Sequence, residues 1–123
     1  VISERAFRLT PPKVIFSYLP EILQKLGVHI TRKEERTAND AFHGVIEGVK
    51  TGDGETHIRI QLHGVRETWS HIGGNFLPSV LTTRMRAETR QYVRGREQDT
   101  AHAQQLLQQF NSTISRYVWH TSG

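Results

Sequence analysis

Apolar and polar residues change period several times along the chain, and each change marks an element. Residues Ile2 to Leu9 read as a short strand. Thr10, Pro11 and Pro12 predict a helix start, with a hydroxyl cap ahead of prolines placed where no amide donor is needed. Val14, Tyr18, Ile22 and Leu26, flanked by Ile15, Leu19 and Leu23, then repeat at helical spacing and give one broad apolar face. Pro20 interrupts this run, either kinking the helix or beginning a second helical segment, and Gly27 is the expected stop.

From Val28 the pattern alternates. Val28 to Arg36 and Phe42 to Lys50 read as strands, with "TGDG" at Thr51 to Gly54 supplying a hairpin turn. The clearest strand follows, where Ile58, Ile60 and Leu62 alternate with His57, Arg59, Gln61 and His63, so that one face is buried and the other wet. "ETWSHIGGNFLPS" reads as a loop that packs Trp69 and Phe76 against the domain. Leu81, Thr83, Met85 and Ala87 alternate with Thr82, Arg84, Arg86 and Glu88; Met85, Thr89 and Val93 also share a helical face, but the threonines and Gly95 favour a strand followed by a break. Asp99 or Thr100 can cap a last helix whose core stripe is Leu106, Leu107, Phe110, Ile114, Tyr117 and Val118, with Gln104, Gln108 and Ser112 opposite.

The expected fold is therefore α+β: an antiparallel sheet of four to five strands whose apolar face is covered by an N-terminal and a long C-terminal helix. At 123 residues the chain suits a single domain, and 36% apolar with 23% charged residues describe a folded globule. Val1 in place of Met suggests a domain excised from a longer chain. No run reaches the length of a membrane span, and the absence of cysteine points to an intracellular setting, cytoplasmic or peripheral at a membrane.

Catalytic chemistry finds little purchase. His57 and His63 share a strand face, but six residues of strand hold them roughly 20 Å apart, too far for one ion. No metal site is expected, and His57 and His63 read as exposed sheet residues. Asp53 and Glu55 are turn residues rather than a carboxylate pair, and the neighbours Ser70 and His71 lack a third orienting group. "GDGETH" and "HIGGNF" match no phosphate loop or dinucleotide fingerprint. No enzyme and no cofactor are expected.

The arginines remain. "RMRAETRQYVRGR" carries Arg84, Arg86, Arg90, Arg94 and Arg96 against one carboxylate, Glu88, in a chain of net charge +4. A guanidinium presents a fixed fork of donors suited to phosphate oxygens. On a strand Arg84, Arg86 and Arg90 project from one face, and the turn carrying Arg94 and Arg96 extends the same field. These five are the candidate anion-binding residues.

"FRLTPPKVIFSYLPEILQKLGVHI", Phe7 to Ile30, resembles the opening of kinase-associated-1 domains: a Phe-ending strand, a polar residue and prolines, an apolar helix, then Leu-Gly before the second strand. The order of elements is also similar, whereas "VRGREQDTAH" replaces that family's usual Gly-Asp turn and following Phe before the last helix. The resemblance implies a non-catalytic module that binds anionic phospholipid headgroups and restrains a linked kinase, with a linked or partner protein as its other expected contact. Two alternatives stay open: a helix-grip module that binds a protein or an apolar ligand, and a nucleic-acid-binding domain using the same arginines. An apolar cavity beneath the last helix, or its absence, separates them.

Overall fold

A computed structural model describes residues 1–8, 10–38, 41–52, 54–67, 80–98 and 101–118, without side-chain surroundings for 65–67, 80–81 and 98. Its elements run β1 (Ile2–Arg8), α1 (Pro12–Lys25), β2 (His29–Ala38), β3 (Ala41–Gly52), β4 (Gly54–Glu67), β5 (Val80–Val93), β6 (Arg96–Gln98) and α2 (Ala101–Val118). The domain is α+β. All strand pairs are antiparallel in the order β1-β5-β4-β3-β2. One edge of β5 pairs with β4; the other is shared by β1, opposite Thr82 to Glu88, and β6, opposite Gln91 to Val93. Since β1 and β2 lie at opposite ends of this order, α1 must carry the chain across the sheet.

Alternation decides which face of each strand is buried. Phe7, Ile46, Ile58, Ile60, Leu62, Met85 and Ala87 meet Ile15, Phe16, Leu19, Ile22 and Leu23 of α1 and Leu106, Leu107, Phe110, Ile114 and Val118 of α2 in one cluster. Both helices therefore cover the same side of the sheet. The helix α1 comes close to the sheet because glycines lie under it: a β-carbon at Gly64 would stand 2.6 Å from the Pro12 ring, and one at Gly44 2.8 Å from the Phe16 ring. Two buried threonines of β5 add polar ties, Thr83 Oγ1 donating to the Thr10 carbonyl and Thr89 Oγ1 to the Ala103 carbonyl. Beneath α2 the space is filled, with Phe110 and Ile114 fully buried. A half-open depression at its margin is about 90 Å³ and is lined largely by polar side chains such as Lys50, Thr56, Gln105 and Gln109.

Three local expectations change. Thr10 does not cap α1; the N-cap is Pro11, in an extended conformation, and Thr10 Oγ1 is buried without a hydrogen-bond partner among the described residues. A proline disfavours helical geometry in the residue before it, so Pro12 pushes Pro11 out of the helix and moves the start one residue on. Pro20 does not begin a second segment: α1 runs through it, and the packing of Leu19, Ile22 and Leu23 offsets the missing backbone donor. Gly95 does more than mark a break. Arg94 and Gly95 both have positive φ, 52° and 77°, and form a tight hairpin turn into β6, an element absent from the expected order. Gly27 ends α1 as expected, at φ 78°. The Trp69–Phe76 loop, Asp53 and the Asp99/Thr100 cap lie outside the described residues.

Two substitutions test this packing by chemical denaturation. Phe110→Ala should cost about 3 to 5 kcal/mol, because its fully buried ring belongs to the shared core and its loss leaves a cavity. Gly64→Ala should cost about 1 to 3 kcal/mol, because the rigid Pro12 ring cannot swing aside from an added methyl. An unchanged midpoint in either variant contradicts the arrangement of α1 and α2 on the sheet.

Candidate anion-binding face

No described element covers the face of the sheet opposite the helices, and strand register sorts its charges into rows. One row reads Arg36, His43, His63, Arg84, from β2 across β3 and β4 to β5. It contains no carboxylate, and the next position, on β1, is Ala6. The following row reads Glu34, Val45, Gln61, Arg86, Glu4, and the third Arg32, Glu47, Arg59, Glu88. Alternating signs in the third row lead to pairing: Glu47 lies 3.7 Å from Arg32 and 3.3 Å from Arg59. Arg32 also draws the Glu34 carboxylate to 2.7 Å, which holds that carboxyl below its ordinary value, chiefly through the hydrogen bond. The β2 carboxylate nearest the first row is thus already engaged.

The five arginines of the candidate site divide. Arg84, Arg86 and Arg90 are exposed on the open face, as alternation requires. Arg90, however, donates to Glu88 at 2.7 Å and lies 3.7 Å from Glu97, and the Glu88 hydrogen bond is the main cause that raises its guanidinium above the ordinary value. Arg94 occupies the hairpin tip beside Gly54, Glu55, His57 and Tyr92. Arg96 pairs with Val93, one step from the Tyr92–Glu97 pair, so the pleat directs it to the helix side of the sheet. The five do not form one field; Arg84 and Arg86 stand near the carboxylate-free row and the other three elsewhere.

Sequence reading missed Arg8, Arg36, His43 and His63. Arg8 is exposed at the end of β1, opposite Thr82 and diagonal to Arg84. His43 and His63 face each other across β3 and β4, with ring centroids 4.2 Å apart and their Nδ1 atoms 3.1 Å apart. A hydrogen bond between two ring nitrogens needs one donor and one acceptor, so at least one ring is neutral while it persists. Burial first, then the positive potential of His43 and Arg84, lowers the pKa of His63. The pair lies in an open depression of about 640 Å³ that also includes Glu4, Gln61, Arg84 and Arg86. His57, by contrast, rests 4.7 Å from the Tyr92 ring and 3.2 Å from Glu55. No group of three or more metal-ligating side chains occurs among the described residues. The chain matches no family model, no curated protein and no solved structure.

The lowered pKa of His63 has a defined sign. Its contribution to stability is present above the ordinary histidine value of about 6.5 and is lost as pH falls through the lower folded value, because the unfolded chain takes the proton more readily. Thermal unfolding midpoints of the parent should therefore fall more between about pH 7.5 and about pH 5 than those of His63→Gln. Equal losses in both proteins contradict the effect of burial and of neighbouring charge on this ring.

Proposed function

We propose that this domain is a non-catalytic module that binds anionic phospholipid headgroups at a membrane surface through the open face of its sheet. Arg84 and Arg86 are its principal contacts, with Arg8 and Arg36 extending them. The observation that supports this reading is the row from Arg36 to Arg84, whose four register positions hold two arginines, two histidines and no carboxylate, set beside Arg86. An exposed array around an open depression suits a surface of phosphates better than an enclosed ligand. Each basic residue close to an anionic leaflet contributes about 1 kcal/mol. The filled space beneath α2 favours surface binding over an apolar ligand held in the interior. Among the described residues, no helix is long and apolar enough to cross a membrane, so the membrane contact proposed is peripheral. Restraint of a linked kinase rests on the resemblance of Phe7 to Ile30 alone.

Sedimentation with vesicles tests the reading. The domain should co-sediment with phosphatidylserine-containing vesicles and not with phosphatidylcholine alone, and should release as salt rises. Arg84→Gln with Arg86→Gln should weaken binding on the order of tenfold, whereas Arg94→Gln with Arg96→Gln should weaken it far less. Equal binding by the parent and the first double variant would falsify the assignment of the face. Single-stranded RNA that displaces the domain from vesicles at equal phosphate concentration would transfer the same arginines to the nucleic-acid reading.

A further inference from the structure

Between the two arginines of the carboxylate-free row lie not neutral fillers but two imidazoles in mutual contact. They sit between Arg36 on one side and Arg84 on the other, in register across four strands. The arrangement is unfavourable for holding positive charge on both rings: a second proton must break the 3.1 Å contact between the Nδ1 atoms and place two imidazolium ions between two guanidinium ions. It is correspondingly favourable for an anion that arrives together with that proton. Each ring then turns an N–H donor outward, and the negative charge screens the four cations from one another.

We infer that His43 and His63 form the proton-linked part of an oxyanion site, taking up a proton when a phosphate-type anion binds in the depression between them and Arg84. This inference rests on the reading above for the location of the site, but not for the source of the anion, which is either a lipid headgroup or a free phosphate or sulfate. Among the described side chains, the charges around the pair agree with it. Strand β2 contributes Arg36, and its Glu34 is held by Arg32; on β3 Glu47 lies two rows away between Arg32 and Arg59. On β4 the neighbour toward the hairpin is Gln61, β5 contributes Arg84 and Arg86, and β1 contributes Arg8 and Glu4, which stands opposite Arg86 and lines the same depression. Both helices lie on the opposite face. The lowered pKa of His63 agrees in direction: without an anion the second proton is resisted. Neither histidine is required for the fold, because the wet side of a strand adds little to the core.

The consequence is that anion binding strengthens as pH falls. Uptake of one proton tightens binding by at most about tenfold per pH unit, and an increase of about fivefold between about pH 7.5 and about pH 5.5 is expected. The experiment has two arms. In the first, ring resonances of His43 and His63 in the intact chain are titrated by nuclear magnetic resonance with and without sodium sulfate, whose own charge is constant over this range. The pair should titrate in two steps, and sulfate should raise the lower one. In the second, binding to vesicles containing phosphatidylglycerol is compared at the two pH values for the parent and for His43→Asn with His63→Asn; the variant should lose the pH gain. Sulfate that leaves both titrations unmoved, or a pH gain equal in parent and variant, overturns the inference, whatever the strength of vesicle binding. A sulfate-raised titration in a domain that ignores acidic vesicles at both pH values supports the inference with a free anion as ligand, and it is the membrane reading that then fails.

Discussion

The register of β5 between β1 and β4 is the constraint on which the rest of this domain depends. One side of β5 places Thr83, Met85, Ala87, Thr89 and Gln91 beneath the helices, all nearly inaccessible to solvent, while the other carries Arg84, Arg86, Glu88 and Arg90. Because side chains alternate with a period of two, a slip by one residue would drive the guanidinium groups into the core and expose Met85 and Ala87. Burying even one unpaired charge costs several kcal/mol, so the alternatives are strongly excluded. The hydroxyls of Thr83 and Thr89 reinforce the same register, since one reaches the Thr10 carbonyl just ahead of α1 and the other the Ala103 carbonyl in the first turn of α2. The strand that holds the two helices is thus also the strand that aims the arginines.

Charge on the open face illustrates why arrangement matters more than count. Seven described arginines lie there, six in the rows from Arg36 to Arg90 and Arg8 beside them, and several are matched by glutamates that the sheet places directly opposite. Exposed pairs of this kind contribute little to stability, but they cancel the local field. What remains is an uneven surface whose positive end is built by residues from β1, β2 and β5, with two histidines in the middle. Over distances shorter than the screening length of about 10 Å, the potential outside the sheet is that of this end and not the average of the face.

The histidine pair adds a second kind of asymmetry. A guanidinium is charged at every accessible pH, whereas an imidazole changes charge near neutrality. Placing two imidazoles between arginines makes the field of the row adjustable by proton activity. The close approach of the rings couples the two titrations, so their behaviour belongs to the pair and not to either residue.

By itself, the sequence determined the class of the fold and the composition of the core. The alternation of Ile58, Ile60 and Leu62, and the helical spacing of Leu106, Phe110 and Ile114, reflect local geometry, and the structure buries all six in one cluster. It also placed Arg84, Arg86 and Arg90 on one wet strand face, again because the period of a strand is a local property. Tertiary structure decided the rest. That Arg96 turns to the helix side follows from a hairpin made by Arg94 and Gly95, and arginine is not a residue whose chemistry announces positive φ. The pairing of His43 with His63 depends on closure of the turn between Gly52 and Gly54: displaced by one residue, the hairpin would set His43 against Leu62 or Gly64 instead. Arg36 joins the row only through a second register, between β2 and β3, which passes an irregularity at Ile30 to Arg32. Composition and period reveal which residues face water; only the closure of turns and the pairing of distant strands decide which of them face each other.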